Sequence, residues 1–348
     1  MSACRGCGGQ ALERVLDLGE VPAADHFPPA GTPVTAAEMA HPLAMDFCPA
    51  CGLAQLADDD TVTEEPRGVE PQALKDQAAA AVAEVAAAGW LRGDTVTEFG
   101  SPHGGTWLPL LAQRGFREAT PAHVVLDSFG IMHEPDQRAA FARRAAATAP
   151  DGVLLLQFHS LATIVRDGQW NALRHGHFAY YSLAALAKLL RQSGMRAVRA
   201  WEFDLYGGTV LVAAVHDGHE PDASVQAVLD RERGLDPAGL QHAADAHANQ
   251  LRAWLDSEVA AGRRVYAYGA ASRAVALFAL AGVTADKLLA VADASPAKQG
   301  RRMPGTDVPI IAPTELVAAN PDRVLLTLPD LLPEVRARFP ELDGKWLT

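Results

Sequence analysis

Hydrophobic positions alternate along the chain between short strand-like runs and stretches with helical spacing. Apolar runs that end in polar or glycine-rich turns predict strands at 95–100, 123–127 and 153–158. Apolar residues at helical spacing predict a helix over 73–88, before the first of these strands, and another over 136–147, between the second and the third. Strands that alternate with helices in this way are typical of a parallel α/β sheet.

The same alternation continues toward the C-terminus. Ser182 precedes an apolar helical pattern and can cap the helix that follows it, and runs at 197–203 and 209–216 predict two more strands. Long helices are expected over 223–261, before a second strand that runs into a turn and a helix at 264–273. The pattern therefore predicts two Rossmann-type units, one in the middle of the chain and one at its end.

Composition and charge narrow the range of partners. The chain has 348 residues, 49% of them hydrophobic, which is enough to bury two or three cores. Its net charge of -12 disfavours nucleic acid or an anionic membrane as the main partner, since both require a basic surface. Because neither a signal peptide nor a membrane-length apolar run is evident, we expect a cytoplasmic protein whose local arginines bind any phosphates.

All four cysteines lie in two Cys-x-x-Cys pairs near the N-terminus, each followed by glycine. Cys4, Cys7, Cys48 and Cys51 can surround one Zn²⁺ tetrahedrally, and a site filled by four thiolates holds structure without doing chemistry. Disulfides are the alternative interpretation, but a secreted disulfide scaffold is usually smaller. With an acidic, proline-containing connector following it, the cluster predicts a zinc module at 1–57, a middle domain at 72–220 and a C-terminal domain at 221–348.

Six short segments, in this order along the chain, carry a resemblance to a known family: CRGCG at 4–8, VLDLG at 15–19, FCPACGL at 47–53, HGHFAYYSL at 175–183, YGA at 268–270 and DASPAKQG at 293–300. They resemble the sugar C-methyltransferases, which methylate nucleotide-linked 4-keto deoxysugars with S-adenosylmethionine (SAM). The resemblance implies an α/β fold with a zinc-binding module, a methyltransferase-like Rossmann domain and a C-terminal Rossmann-like domain.

The SAM site that the resemblance implies is shortened here. In such domains a glycine turn follows the first strand, and the second and third strands carry the groups that bind ribose and adenine. Roughly 20 residues between Gly105 and Val124 leave no room for two further strand and helix units. The family's tyrosine-containing segment is also absent from 61–71. These departures predict a truncated domain in which SAM binding is doubtful.

Two alternatives concern that cofactor. If SAM does bind, Glu98, Gly100 and Gly104 are the predicted contacts at the glycine turn. If instead the strand order has been misread, Glu118 or Asp127 could hold the adenosine.

The resemblance implies that His177 is a general base that removes the proton beside the sugar ketone. An imidazole suits this step because its pKa lies near neutrality. Two neighbours depart from the family, since its tyrosine is Arg174 here and its acidic residue is glycine. We predict catalytic roles for His177, His175, Arg174 and Tyr206.

Substrate contacts are predicted at two C-terminal loops and around the histidine motif. A turn at a helix N-terminus and a cationic loop suit the diphosphate of a sugar nucleotide, although a solvated charged loop is the alternative for the latter. His103, His133 and His159 follow predicted strands, where ligands of open sheets usually bind, and His159 is expected to face the substrate. The predicted substrate residues are His159, Tyr180, Tyr181, Gly269, Ser272, Arg273, Lys298, Gln299 and Arg301.

Together these features predict an enzyme that acts on a nucleotide-linked keto-deoxysugar, with a dTDP-sugar as the expected substrate. A retained base and a shortened cofactor site favour SAM-independent epimerisation or isomerisation by proton transfer. SAM-dependent C-methylation of the same substrate is the first alternative. A non-catalytic protein that binds sugar nucleotide is the second.

Overall fold

A computed structural model describes residues 3–61, 70–102, 104–216 and 218–348. In these ranges the chain forms three sheets, one antiparallel, one mixed and one parallel. The predicted α/β class and the order of zinc module, shortened Rossmann-type domain and C-terminal Rossmann-like domain are confirmed. Among the described helices, none is long and apolar enough to span a membrane.

The N-terminal sheet is antiparallel and includes a strand from much later in the sequence. Its first three strands are β1 (Glu13–Val21), β2 (His41–Phe47) and β3 (Ala54–Leu56). The fourth, β8 (Ala179–Tyr180), pairs with β3. The strand belongs by sequence to the predicted middle domain but joins the sheet of the zinc module, so it connects the segment after His177 to that module. The domain bounds themselves stay a prediction.

The middle domain is a six-stranded sheet in the order β5-β4-β6-β7-β10-β9. Its helices are α1 (Gln72–Ala87), α2 (Leu108–Ala112), α3 (Gln137–Ala147), α4 (Leu161–Arg166) and α5 (Leu183–Gln192). Its strands are β4 (Thr95–Phe99), β5 (Arg117–Glu118), β6 (Ala122–Ser128), β7 (Thr148–His159), β9 (Met195–Phe203) and β10 (Thr209–His216).

The C-terminal domain is a parallel sheet in the order β13-β12-β11-β14-β15, preceded by two helices. Its helices are α6 (Ala223–Arg231), α7 (Leu240–Ala260), α8 (Val275–Ala281), α9 (Pro313–Ala319) and α10 (Leu332–Arg338). Its strands are β11 (Val265–Tyr268), β12 (Val291–Ala292), β13 (Ile310–Ile311), β14 (Arg323–Leu326) and β15 (Trp346–Leu347).

Local sequence explains where the elements begin and which face they bury. The Ser182 hydroxyl accepts a hydrogen bond from the backbone N–H of Ala185 and so caps α5. Leu183, Leu186 and Leu190 lie on the buried face of that helix, as their spacing predicts. This helix covers the sheet close to the segment that carries His177.

The predicted shortening of the middle domain is confirmed by strand β5. This strand has two residues, and Glu118 pairs with Val96 near the beginning of β4. Because β4 ends at Phe99, β5 stops three residues short of the carboxyl edge of the sheet, about 10 Å at roughly 3.3 Å per residue. Glu118 therefore lies away from the edge where ligands of parallel sheets bind.

Candidate functional site

The four cysteines form a compact cluster in the N-terminal module. Their sulfur atoms lie within 4.8 Å of one another, with 3.5 Å between the sulfurs of Cys4 and Cys51 and 3.6 Å between those of Cys7 and Cys48. None of them forms a disulfide. Tetrahedral zinc with bonds of about 2.3 Å requires sulfur atoms at such separations. The predicted zinc site therefore has the geometry that the metal needs.

A cleft of about 300 Å³ lies between the carboxyl edges of the middle and C-terminal sheets. From the middle domain, the predicted residues Glu98, Gly100, Gly104, His159, Arg174, His177, Tyr180 and Tyr206 line it. From the C-terminal domain, the predicted residues Gly269, Ser272, Arg273 and Lys298 line it. The structure thus brings together most of the candidate residues, which come from distant parts of the sequence.

Four predicted residues lie elsewhere. The His175 ring contacts the zinc module, with Nε2 3.1 Å from the Pro42 carbonyl, so it faces away from its neighbour His177. The Tyr181 hydroxyl donates to the buried side chain of Gln137. Gln299 donates to the Asp293 carbonyl, and Arg301 donates to the Phe27 carbonyl. The site roles predicted for His175, Tyr181, Gln299 and Arg301 have no support from their positions.

Arg174 connects the histidine loop to the C-terminal domain. Its backbone N–H donates to the Tyr180 hydroxyl at 3.0 Å, and its guanidinium donates to the Ser272 hydroxyl. A second guanidinium nitrogen lies 3.5 Å from Nδ1 of His177, which is 3% exposed. The candidate base is therefore flanked by a cation.

A second histidine, His133, lies beside His177, with 4.4 Å between the ring centroids. It is the last residue of a short 3₁₀ helix after β6, and its Nδ1 donates to the Gly176 carbonyl at 3.0 Å. Sequence reasoning noted its position after a strand but assigned it no role. That position could have identified His133 as a site residue, because ligands of α/β sheets bind at the carboxyl ends of the strands.

Positive charge is concentrated at the junction of the two domains. Burial, with the nearby Arg174 adding to it, lowers the pKa of Arg273 to about 10. Burial, followed by the charges of Arg273 and Arg174, lowers the pKa of His159 to about 3, so this imidazole is neutral at physiological pH. The Arg273 guanidinium lies over the Tyr206 ring, 5.1 Å from its centroid. An anionic ligand would offset this charge.

Tyr206 has a backbone conformation that is rare for a residue with a side chain. Its φ is 55°, in the left-handed region, and its ring lies against those of Phe129 and His159. Phe129, which also lines the cleft, has a φ of 60°. Strained residues of this kind collect at functional sites, where the surrounding structure holds them in place.

The turn after β11 is held by hydrogen bonds from two neighbouring segments of the C-terminal domain. Asp293 accepts hydrogen bonds from the backbone N–H groups of Ala270 and Ser295, each at 2.7 Å, and Lys298 donates to the Ala270 carbonyl at 2.8 Å. Gly269 has a φ of 96°, and a Cβ there would lie 2.6 Å from the Thr327 hydroxyl oxygen. Only glycine fits this position.

The turn after β4 has open space beside its backbone. A Cβ added at Gly100 or Gly104 would meet no atom of the described residues within 4 Å, so a ligand can approach the backbone there. The Glu98 carboxylate closes the turn by accepting from the Trp107 N–H at 2.8 Å and from the Thr106 hydroxyl. Burial raises the pKa of Glu98. His103, and most of the segment that lacks the family's tyrosine, lie outside the described residues.

Other polar groups on the cleft floor escaped sequence analysis. The side-chain amides of Gln77 on α1 and Gln157 on β7 bond to each other at 2.7 and 3.1 Å, and Gln157 also donates to Ser128 at 3.2 Å. Nothing in the local sequence marks these residues, because they meet only when α1 packs over the ends of β6 and β7.

The fold and the cleft define an α/β protein of the methyltransferase type with an N-terminal zinc module. Family models support this class: a methyltransferase zinc-binding domain matches residues 4–64, and the C-methyltransferase C-terminal domain matches residues 204–347. Both matches agree with the resemblance to the sugar C-methyltransferases inferred from the motifs, which is confirmed.

A curated relative agrees with this assignment. The C-methyltransferase NovU of Streptomyces niveus is 28% identical over 228 residues, which are 62% of this chain and 54% of NovU. The chain thus spans about half the length of the curated relative that it matches.

Similarity to solved structures is weak. Magnesium protoporphyrin IX methyltransferase from Synechocystis, solved with bound SAM, is 14% identical with a TM-score of 0.31, covering 41% of this chain and 80% of that one. A complex of the Trm112 methyltransferase activator with a methyltransferase from Haloferax volcanii is 13% identical with a TM-score of 0.31, covering 43% of this chain and 94% of that one.

These matches correct two predictions from the sequence. The preference for SAM-independent epimerisation or isomerisation is wrong, because the C-terminal family model and the curated relative are both C-methyltransferases. The doubt about SAM is overturned by the same matches. The inference failed because the shortening of the sheet beyond β4 was taken to remove the whole cofactor site, whereas the turn after β4 has open space beside its backbone.

Proposed function

We propose that the protein is a SAM-dependent C-methyltransferase that acts on the carbon beside the ketone of a nucleotide-linked keto-deoxysugar. One observation carries the proposal: a single cleft contains the open glycine turn, the histidine pair and the cationic turn of the C-terminal domain. A methyl donor, a carbon acid and a diphosphate could therefore meet in one place. The match of residues 204–347 to the C-methyltransferase C-terminal domain supports the same reaction.

The substrate class is inferred from the C-terminal side of the cleft. The turn at Gly269 and Ser272 presents backbone groups at the end of a parallel strand, and Arg273 and Arg174 supply two guanidinium groups next to it. Guanidinium groups bind phosphate oxygens through paired hydrogen bonds. A diphosphate at this position would direct the attached sugar toward His177. A dTDP-sugar is the proposed substrate because the family resemblance implies one.

The chemistry follows from the histidine pair. A proton on carbon next to a ketone becomes removable when a base faces it and donors stabilise the enolate oxygen. His133, His177 and Tyr206 supply imidazole and hydroxyl groups in the cleft. SAM, when bound, supplies an electrophilic methyl group on a sulfonium centre. Gly100 and Gly104 would hold its methionine end against open backbone.

Calorimetry and product analysis test this proposal. We expect micromolar binding of S-adenosylhomocysteine and of dTDP at separate places, and a singly methylated product when SAM and dTDP-4-keto-6-deoxyglucose are supplied together. Gly100→Val fills the open space at the turn, so it should weaken S-adenosylhomocysteine at least tenfold and leave dTDP affinity unchanged. Failure of the wild-type protein to bind S-adenosylhomocysteine, or to form methylated product, would overturn the proposal.

A further inference from the structure

The two arginines at the domain junction differ in their contacts. Among the described residues, the Arg273 guanidinium has no hydrogen-bond partner and lies over the Tyr206 ring, 5.1 Å from its centroid. The Arg174 guanidinium, in contrast, donates to the Ser272 hydroxyl and has another nitrogen 3.5 Å from Nδ1 of His177. Arg174 is therefore fixed beside the candidate base, whereas the N–H groups of Arg273 remain available to a ligand in the cleft.

Arg174 also has N–H groups to offer to a bound reactant. A guanidinium carries two N–H groups on each terminal nitrogen. One terminal nitrogen of Arg174 contacts Ser272 and the other faces His177, and in the part of the chain that the structure describes neither nitrogen has a second acceptor or an acidic partner. Because Arg174 lines the cleft, its charge and these second N–H groups can act on a substrate there.

Two hydrogen bonds hold Arg174 from different domains. Its backbone N–H donates to the hydroxyl of Tyr180, which lies on β8 and so in the sheet of the zinc module. Its side chain donates to Ser272, a residue of the C-terminal domain that is 4% exposed. The guanidinium is thus oriented by the folded protein itself. Donors that are fixed in advance stabilise a developing charge well because they need no rearrangement during the reaction.

Removal of a proton beside a ketone requires two neighbouring groups. The acidic carbon and the ketone oxygen are two bonds apart, so the base and the group that stabilises the enolate oxygen must lie side by side. Arg174 and His177 meet this requirement, since 3.5 Å separates a guanidinium nitrogen from the imidazole ring. A guanidinium also stays charged throughout, because it does not lose its proton in proteins.

We propose that Arg174 stabilises the enolate oxygen, that Ser272 positions Arg174, and that Arg273 binds the diphosphate. His177 takes the proton from the carbon beside the ketone. The C–H electron pair becomes the carbon–carbon π bond of the enolate, and the carbonyl π pair moves to the oxygen, which accepts hydrogen bonds from Arg174. The assignment rests on the proposed function, because it needs a keto-sugar in the cleft, and it gives the two arginines separate tasks.

Proton exchange into the substrate tests the assignment without methyl transfer. The probe is dTDP-4-keto-6-deoxyglucose in D₂O with S-adenosylhomocysteine present, and NMR follows loss of the proton beside the ketone over a range of probe concentrations. Arg174→Gln removes the charge, so exchange at saturating probe should fall at least about 100-fold, as expected when an oxyanion loses its stabilising donor. The affinity for dTDP, measured by calorimetry, should change less than about threefold because the diphosphate is held by Arg273.

Three further variants separate charge, position and phosphate binding. Arg174→Lys keeps a cation and should exchange at least about tenfold faster than Arg174→Gln. Ser272→Ala releases the Arg174 side chain and should slow exchange at saturating probe about tenfold, because a displaced catalytic group loses efficiency. Arg273→Gln is the matched substitution at the other arginine: it should weaken dTDP at least about tenfold and slow exchange at saturating probe less than about tenfold.

Binding of S-adenosylhomocysteine, measured by calorimetry, checks that each variant is folded. If Arg174→Gln weakens dTDP tenfold but exchanges at the wild-type rate once saturated, Arg174 is a phosphate ligand, and the assignment is wrong while the proposed function stands. Equal losses of exchange at saturating probe in Arg174→Gln and Arg273→Gln would also overturn the assignment. A wild-type protein that binds the probe without exchange would overturn the proposed function as well, so the two failures are distinguishable.

Discussion

The two Rossmann-type sheets differ most at the second strand of each. In the C-terminal sheet, β12 extends level with the end of β11, and the Asp293 that follows it binds the turn after β11. In the middle sheet, β5 ends level with Val96, and its last residue, Glu118, stays far from the turn after β4. Glu98, on the first strand itself, closes that turn instead.

The difference shows that the length of the second strand determines whether an acidic residue lies beside the turn after the first strand. An acidic residue reaches a ligand only when its strand runs to the carboxyl edge. The C-terminal turn has such a residue already fixed by two backbone donors, whereas the middle turn presents open backbone. We therefore expect substitutions near the C-terminal turn to affect both folding and nucleotide binding, and substitutions on β5 to affect neither.

The largest effect is expected at the aspartate that anchors the middle sheet. Asp127, at the end of β6, is buried, accepts from the N–H groups of Gly130 and Ile131, and pairs with Arg144 at 2.8 Å. Asp127→Ala leaves a buried cation with one acidic partner fewer and should lower the free energy of unfolding by about 3 kcal/mol. Urea denaturation measures this.

Arg143→Ala is the matched control for that substitution. Its ion pair with Glu134 is exposed, so the loss should stay below about 1 kcal/mol. Equal losses in the two variants would contradict the importance given to the buried pair.

Asp293→Ala, at the turn after β11, should have the next largest effect. Two backbone N–H groups lose a charged acceptor, which we expect to cost about 2 kcal/mol of unfolding free energy and about tenfold in dTDP affinity. Asp307→Ala removes a comparable but exposed acceptor, that of the Ala285 N–H, and should change dTDP affinity less than twofold. If dTDP binds equally well to both variants, the turn after β11 is not the diphosphate site.

A pH-dependent effect is expected where the two sheets meet. Because the pKa of His159 is about 3 in the folded protein and about 6.5 when unfolded, the folded state binds fewer protons between these values. Its contribution to stability is complete above pH 6.5 and is lost as the pH falls toward 3, by about 2 kcal/mol between pH 7 and pH 5. His159→Gln should flatten the pH dependence by that amount in denaturation curves. Parallel curves for the two proteins would contradict a buried neutral imidazole.

The smallest effect is expected at Glu118, and it sharpens the comparison most directly. The side chain is exposed and lies at the far end of β4 from the cleft. Glu118→Ala should therefore leave the dissociation constant of S-adenosylhomocysteine within twofold in calorimetry. A tenfold loss would mean that β5 contributes to the cofactor site after all.

Much of this architecture follows from local sequence. Cysteine spacing predicts the zinc cluster, the apolar runs predict the order of strands and helices, and the short distance from Gly105 to Val124 predicts the missing strands. Each of these signals depends on residues that are close together in the chain or on the length between them. Local physics is sufficient for such features.

The errors and omissions concern contacts between distant segments. His175 and His177 are two residues apart, yet one faces Pro42 and the other the cleft, and no periodicity distinguishes them across the left-handed Gly176. Arg301 appeared suited to phosphate, but its guanidinium is occupied by the Phe27 carbonyl, 274 residues away. Partners this remote are set by how the domains pack, which the sequence pattern does not encode.

The edge strand β8 has a consequence for how the protein must be produced. It begins two residues after His177 and pairs with β3, which begins three residues after Cys51. Loss of zinc should therefore destabilise the segment that carries His177 as well as the zinc module itself. Zinc supply during expression would then set the fraction of competent molecules, and a metal-starved preparation would resemble an inactive variant.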